Sequence, residues 1–331
     1  MPSTALPRLS VNIPTWRRKE RLQELLMALT KQEGVSASEF EVLVCDSGSG
    51  DGTQELVHAF AEHATTFRFL DIVTNTLSAK RNALAHASRA PLLLLLDDDC
   101  IPDPGLVSTH LALHERREGV VGCGAIRYPA PWVASSNYFR FRDSRHIGPE
   151  RPDIDMERVP GRNWTVMNLS VRTTDVARLG LMDEGFVHYG GEDHEFAERW
   201  ERGGVVGIFL PAALVWHHEW GGSVDQFERK QYFLSRYGMP LLLRESPQFL
   251  RESAFRFLEP PQRGSGLLER LRDVGIRLIT SRLWTSAVRK WLKATDRCPR
   301  LYAPALFRYV AAGAYARGAR DRSKPIAEGW F

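Results

Sequence analysis

Three consecutive carboxylates, Asp97, Asp98 and Asp99, follow directly on five leucines, Leu92 to Leu96, and Pro102 and Pro104 stop the chain soon after. Adjacent aspartates repel one another, so a buried run that ends in them needs a counter-charge. Hard carboxylate oxygens suit Mg²⁺ or Mn²⁺, and Mg²⁺ is commonly held by one or two carboxylates together with substrate phosphates. The competing reading is a solvated acidic turn. A second acidic pair, Glu192 and Asp193, stands after Gly190 and Gly191, where the spacing predicts a helix over 190–204. Acids at a helix start are favoured by the free N–H groups and the dipole, so stability alone is one reading and general-base chemistry the other. His217 and His218 end an apolar run; adjacent residues of a strand point to opposite faces, so at most one of the pair, His217 by expectation, faces the site.

These residues need elements to position them. LSVNI (9–13), FEVLVC (40–45), FRFLDIV (67–73) and LLLLL (92–96) read as strands, and the segments 18–31 and 78–88 carry helical spacing. Strand–helix alternation predicts a parallel sheet covered on both faces, and in such sheets ligands bind beyond the carboxyl ends of the strands. PTWRR, DSGSGDG, LSAKRN and DDD all fall at those ends. The second is a glycine-rich loop in which Asp51 or Thr53 is placed to cap the next helix. A fifth strand is expected at 120–126, a long ordered loop region over 127–160, and a strand with a short helix at 163–175. Beyond Asp225 the chain reads as helical, with basic amphipathic stretches at 267–292 and 302–319.

The chain of 331 residues is 43% hydrophobic, enough for a sizeable core in one large domain or two. Its longest apolar run is far short of the ~20 residues that span a bilayer, and residues 1–11 show no signal-peptide apolar region. The four cysteines form no CxxC pair, so the expected setting is a reducing cytosol. Residues 262–331 hold 15 Lys and Arg against 5 Asp and Glu, a net +10 that leaves −6 for the rest of a chain whose total is +4. An acidic body with a basic tail suggests a catalytic domain beside a segment for an anionic surface. That surface is an anionic membrane at its inner face, or the helices pack on the body or in an oligomer. No recognition motif accompanies the charge, so nucleic acid is not an expected partner.

The blocks IPTWRRKERLQELLMAL, VLVCDSGSGDGT, LSAKRNALAHASRAPLLLLLDDDCIPDP and GGEDHEFAERW, in that order, resemble the successive signatures of glycosyltransferase family 2 over residues 8–225. The resemblance implies an α/β GT-A fold, with a mostly parallel sheet and flanking helices. It implies a catalytic domain over 1–225, in which 8–126 bind the nucleotide sugar and 127–225 the acceptor, followed by a helical region over 226–331. It implies inverting transfer from a nucleoside-diphosphate sugar to a glycan, lipid-linked or small-molecule acceptor, with Mn²⁺ or Mg²⁺.

Residue by residue, the family pattern gives Pro14, Thr15, Trp16 and Arg18 to the nucleotide, with Trp16 stacking on the base. Asp46 opens the second nucleotide loop, and Ser47 stands where many members carry a second Asp that reads the base, which weakens an assignment of uracil. Arg81 falls near the diphosphate. Asp97 matches the ribose or sugar side, Asp98 the nucleotide side and Asp99 the metal, with Asp97 and His217 as further metal ligands. Asp193 matches the general base, and Glu192 contacts the acceptor or orients Asp193. Trp164, Asn168, Tyr189, Trp216 and Trp220 are expected to line the acceptor cleft, or else to serve the core. A nucleotidyltransferase and an inactive carbohydrate-binding or membrane-associated scaffold are the rival readings. PTWRRKERL lacks the glycines that the first rival needs, and intact acidic motifs argue against the second.

Overall fold

Continuous apolar runs bounded by turn residues become central strands in the computed structural model, which describes residues 6–324 except 61, 62, 64, 149, 150, 152, 220, 253, 262, 263 and 265. The strands are β1 (Leu9–Pro14), β2 (Phe40–Asp46), β3 (Thr66–Asp71), β4 (Leu92–Leu96), β5 (Cys100–Pro102), β6 (Val120–Arg127), β7 (Asn168–Arg172) and β8 (Val206–His217). They form one sheet in the order β3-β2-β1-β4-β7-β6-β8-β5. β1, β2 and β4 bury every residue, the pattern of strands covered on both faces.

β3, β2, β1 and β4 pair in parallel, so their carboxyl ends lie along one edge. β7 is antiparallel to both β4 and β6, and β5 is antiparallel to β8. The sheet is therefore mixed rather than parallel throughout. The alternation of buried and exposed residues that often marks an antiparallel strand is missing here, because four of the five residues of β7 are buried. β6 and β8 run parallel with a register shift between Gly124 and Ala125.

The chain divides into two compact units. The first comprises residues 1–129, 145–187 and 193–220 and contains the whole sheet. Helix Lys19–Leu29 buries Leu22, Leu25, Leu26 and Leu29 against this sheet's core, one stripe at helical spacing. The second unit comprises 130–144, 188–192 and 221–331. Its core gathers Tyr138, Phe141, Val224, Phe227, Leu292, Phe307 and Val310, with Phe141 stacked on Phe307 at 4.7 Å between ring centroids. The segment expected as loop over 127–160 contains two short helices, Ala130–Ser135 and Asn137–Asp143. Ser136 caps the second, its hydroxyl accepting from the Phe139 N–H. The basic stretch 267–292 is two helices rather than one, Leu267–Ile279 and Arg282–Ala294.

Candidate active site

β4 delivers Asp97–Asp99 into a tight turn before β5, whose Cys100 is in register with His217 at the end of β8. That pairing brings the acidic turn and the histidine together: His217 Nε2 lies 3.6 Å from Asp99 Oδ1, and the His218 N–H donates to the Asp99 carbonyl at 2.7 Å. The imidazole of His218 points the other way, 3.5 Å from Glu24.

Each of the three carboxylates has its own partners. Asp97 accepts from Arg81 Nη2 at 2.8 Å. Asp98 accepts from the Thr15 hydroxyl at 2.8 Å and from Arg18 Nη1 at 2.7 Å. Asp99 takes a longer bond from the same Arg18 nitrogen at 3.3 Å. Two guanidinium groups thus offset the repulsion that the sequence alone assigned to a metal ion. Asp98 is almost fully buried, and burial pushes its carboxyl up to about 6 against the pull of Arg18 and the Thr15 hydroxyl.

The loops after β1 and β2 are tied to each other and to this turn. Arg17 adopts a positive φ of 54°, and its N–H donates to Ser49 Oγ at 2.7 Å. Its guanidinium lies 4.7 Å from the ring centre of Trp16, which is 42% exposed. Asp46 turns its carboxylate into its own loop, accepting from Ser49 N–H and Ser49 Oγ at 2.8 and 2.5 Å. Ser47 donates to the Thr74 carbonyl at 3.3 Å. The N-cap of the following helix is Gly52 rather than Asp51 or Thr53; Asp51 stands one residue before it, accepting from the Thr53 N–H at 3.1 Å and from the Lys19 N–H, at the start of the first helix, at 3.3 Å.

Arg81 links the acidic turn to the Glu-Asp helix. Its side chain is buried, and while Nη2 holds Asp97, Nη1 lies 3.9 Å from Asp193 Oδ1. Asp193 Oδ1 is buried and accepts no hydrogen bond among the described residues, although the side chain as a whole is 28% exposed. Burial raises the Asp193 carboxyl above its ordinary value, while Arg81 pulls it back. In the second unit, Glu192 accepts from the Gly190 N–H at 3.0 Å, closing a turn in which Gly190 and Gly191 take φ of 98° and 104°.

The expected ligand set of Asp97, Asp99 and His217 does not assemble. Asp97 is turned to Arg81, and no group of three or more His, Cys, Asp or Glu side chains is arranged to hold a metal among the described residues. The expected acceptor residues divide. Trp164 is buried, with its indole N–H donating to the Val159 carbonyl at 2.9 Å, and serves the core. Asn168 is equally buried and belongs to a polar chain described below. Trp216 is partly exposed and donates to Asp103 at 2.8 Å. Tyr189 is 47% exposed, with Lys230 Nζ 5.4 Å from its ring centre. Trp220 lies outside the described residues.

Several contributors escaped the sequence reading. Lys80 is buried and donates to the Thr15 carbonyl at 2.7 Å and to Asn75 at 2.8 Å. It bridges the first and third loops, and burial lowers its pKa. Its signal was present in LSAKRN, where a lysine precedes the arginine at a helix start. Tyr128, buried at the end of β6, donates to Glu219 at 2.9 Å and lays its ring 5.0 Å from that of His217. Nothing in the local sequence marks that pair.

Comparison with known proteins gives one direction. Residues 10–165 match the family model described as Glycosyl transferase family 2. The uncharacterized glycosyltransferase YfnE of Bacillus subtilis is 28% identical over 247 residues, 60% of this chain and 61% of that protein. Validoxylamine A glucosyltransferase of Streptomyces hygroscopicus subsp. jinggangensis is 29% identical over 231 residues, 60% of this chain and 53% of that protein. The matches thus span between about half and three-fifths of these relatives' lengths. Among solved structures, a mannosyltransferase of Pyrobaculum calidifontis in complex with GDP-Man and Mn²⁺ superposes with a TM-score of 0.60 at 16% identity, over 95% of this chain and 88% of that one. S. aureus TarS 1–349 in complex with UDP gives 0.54 at 16% identity, over 97% and 95%. At such identities the likeness is one of fold.

Proposed function

We propose, since the chain belongs to glycosyltransferase family 2 through residues 10–165 and has the GT-A type of mixed α/β fold, that it transfers a sugar from a nucleoside diphosphate to an acceptor hydroxyl with inversion. One observation carries this reading: buried Arg81 stands between Asp97 and Asp193, with nitrogens 2.8 and 3.9 Å from their carboxylates. Acids from far-apart stretches of sequence thus share one cation.

In this reading the exposed face of Trp16 stacks on the base, and Thr15, Arg18 and Lys80 hold the loop beneath it. Arg81 and Arg18 exchange part of their carboxylate pairing for the diphosphate oxygens of the donor, which guanidinium groups bind with charge-assisted hydrogen bonds. Asp193 accepts the acceptor hydroxyl's proton through Oδ1 as that oxygen attacks the anomeric carbon. The nucleoside diphosphate leaves from the opposite face, so one displacement inverts the centre and no covalent enzyme intermediate forms. Partly exposed Trp216 is the remaining acceptor contact in this unit.

Asp99 and His217 fit a divalent cation as a two-residue donor set. Their facing atoms, Asp99 Oδ1 and His217 Nε2, are 3.6 Å apart. A carboxylate with an imidazole suits Mn²⁺ as well as Mg²⁺, the remaining positions falling to diphosphate and water. When bound, the cation neutralises charge that builds on the departing diphosphate.

The test is transfer by purified protein with a panel of nucleoside-diphosphate sugars, Mn²⁺ and candidate acceptors. Released nucleoside diphosphate supports the reading; released pyrophosphate supports a nucleotidyltransferase. Asp193→Asn keeps the side chain's shape and removes the base, so transfer is expected to fall about 10²–10⁴-fold with the melting temperature little changed. Transfer near the wild-type rate sinks the assignment of Asp193.

A further inference from the structure

Helix Leu267–Ile279 packs the wrong way round for a helix of a water-surrounded protein. The one residue it buries is Asp273, which pairs with exposed Arg277 of the same helix at 2.7 Å and lies 3.7 Å from the more buried Arg320. Its apolar side chains face out: Leu267, Leu268, Leu271, Val274, Leu278 and Ile279 are each more than half exposed. Leu267, Leu271, Val274 and Leu278 follow the i, i+4, i+7, i+11 spacing of one helical stripe. The next helix also exposes apolar side chains, Leu283 and Trp284 at 74% and 59%, with Trp291 two turns beyond Trp284. Large exposed apolar patches mark an interaction surface.

The charge around the stripe says which surface. Residues 267–294 contain seven Lys and Arg against two acids, Glu269 and Asp273, and Asp273 is buried. Arg272, Arg282 and Lys290 are exposed and carry no ion pair among the described residues. A leucine stripe edged by arginines, with tryptophans at its border, is the composition that lies in the interface of an anionic bilayer. Each helix has 13 residues, short of the ~20 that span, and no described helix is long and apolar enough to cross a membrane. We propose that helices Leu267–Ile279 and Arg282–Ala294 form an in-plane docking surface for an anionic lipid bilayer. The leucines and tryptophans enter the acyl boundary, and the basic side chains meet lipid phosphates. This surface belongs to the second unit alone and stands independently of the transferase reading, because lipid binding is measured without any sugar donor.

The test is flotation of the full chain with vesicles of phosphatidylglycerol and phosphatidylcholine, and with phosphatidylcholine alone, at low and high salt. The expected result is flotation with the anionic vesicles that weakens with salt and is poor with phosphatidylcholine alone. Leu271→Glu/Leu278→Glu, placed on the exposed stripe, is expected to reduce vesicle binding by at least about tenfold with an unchanged circular dichroism spectrum. Leu268→Glu/Leu283→Glu repeats the test should the first variant misfold. Arg272→Glu/Lys290→Glu is expected to remove the preference for anionic lipid. Three results overturn the proposal: no flotation at low salt, undiminished flotation of the leucine variants, or a dimer in light scattering that those variants dissolve, which assigns the stripe to a second copy of the chain.

Discussion

Thr15 and Arg18 share one task, which is to keep Asp98 charged where burial favours its neutral form. The hydroxyl and the guanidinium reach the two oxygens of one carboxylate at 2.8 and 2.7 Å, and the same arginine touches Asp99. Hydrogen bonds to a buried charged group contribute about 1.5–3 kcal/mol, more than a solvent-exposed ion pair supplies. Thr15→Val keeps the shape and removes the donor. Urea unfolding at neutral pH is expected to show a loss of about 1.5–3 kcal/mol, and titration calorimetry a weaker nucleoside diphosphate, because the loop that carries Trp16 loses its anchor. Unaltered stability would mean that Arg18 alone holds the carboxylate. Asp98, Thr15 and Arg18 were all named from the motif pattern, but their mutual bonding was not, since no sequence spacing relates residues 83 apart.

At the scale of elements, the turn Gly190–Gly191 and the π-helical turn Leu234–Gly238 approach each other so closely that only glycine fits. A Cβ on Gly238 would stand 1.9 Å from the Gly190 carbonyl oxygen. That contact is backbone, so no side-chain rotation relieves it. Gly238→Ala is therefore expected to cost at least the ~1–3 kcal/mol typical of overpacking, seen as a lower melting temperature, whereas Gly221→Ala, next to open space but at positive φ, costs about 1 kcal/mol. Equal shifts for the two would show that the second unit yields at Gly238. The order of strands and helices was legible because apolar runs and glycine turns punctuate the chain. The reversal of β7 and the helices at 130–143 were not: a strand buried on both faces carries no mark of its direction, and Pro131 with its aromatic neighbours reads as loop. Trp164 and Asn168 were read toward a cleft for a related reason. Residue type tells that a side chain has polar or aromatic chemistry, not which side of the sheet it occupies. A clue lay in VVGCGAI. Gly122 and Gly124, two apart on β6, leave room on one face for Ser170, His110 and Asn168, whose atoms stand 2.5, 3.0 and 2.2 Å from where the missing Cβ atoms would be.

Across the first unit as a whole, that glycine-lined face holds a directed chain of hydrogen bonds. Asn168 donates its amide to the Ala125 and Ala213 carbonyls at 3.1 and 2.8 Å, so its Oδ1 accepts from His110 Nε2 at 3.0 Å. His110 Nδ1 is then free to accept from the Ser170 hydroxyl at 2.8 Å, and Ser170 Oγ accepts from His114 Nε2 at 2.9 Å. Both imidazoles are neutral in this arrangement and almost fully buried. Burial lowers His110 to about 3 and His114 to about 4 from an ordinary 6.5. The unfolded chain therefore binds protons that the folded one refuses: the stabilisation is complete above pH 6.5 and is lost progressively as pH falls toward 4. Between pH 7 and 5 the loss is on the order of 2 kcal/mol per histidine. Asp98 acts in the opposite sense, since a carboxyl raised to about 6 takes up a proton in the folded state first and gains stability over the same interval. Comparing wild type with His114→Gln separates them, because Asp98 is common to both. Urea unfolding across pH 7 to 5 is expected to show a pH dependence shallower in the variant by about 2 kcal/mol. Parallel curves would mean that His114 titrates normally and that the chain of hydrogen bonds through Ser170 does not keep it neutral.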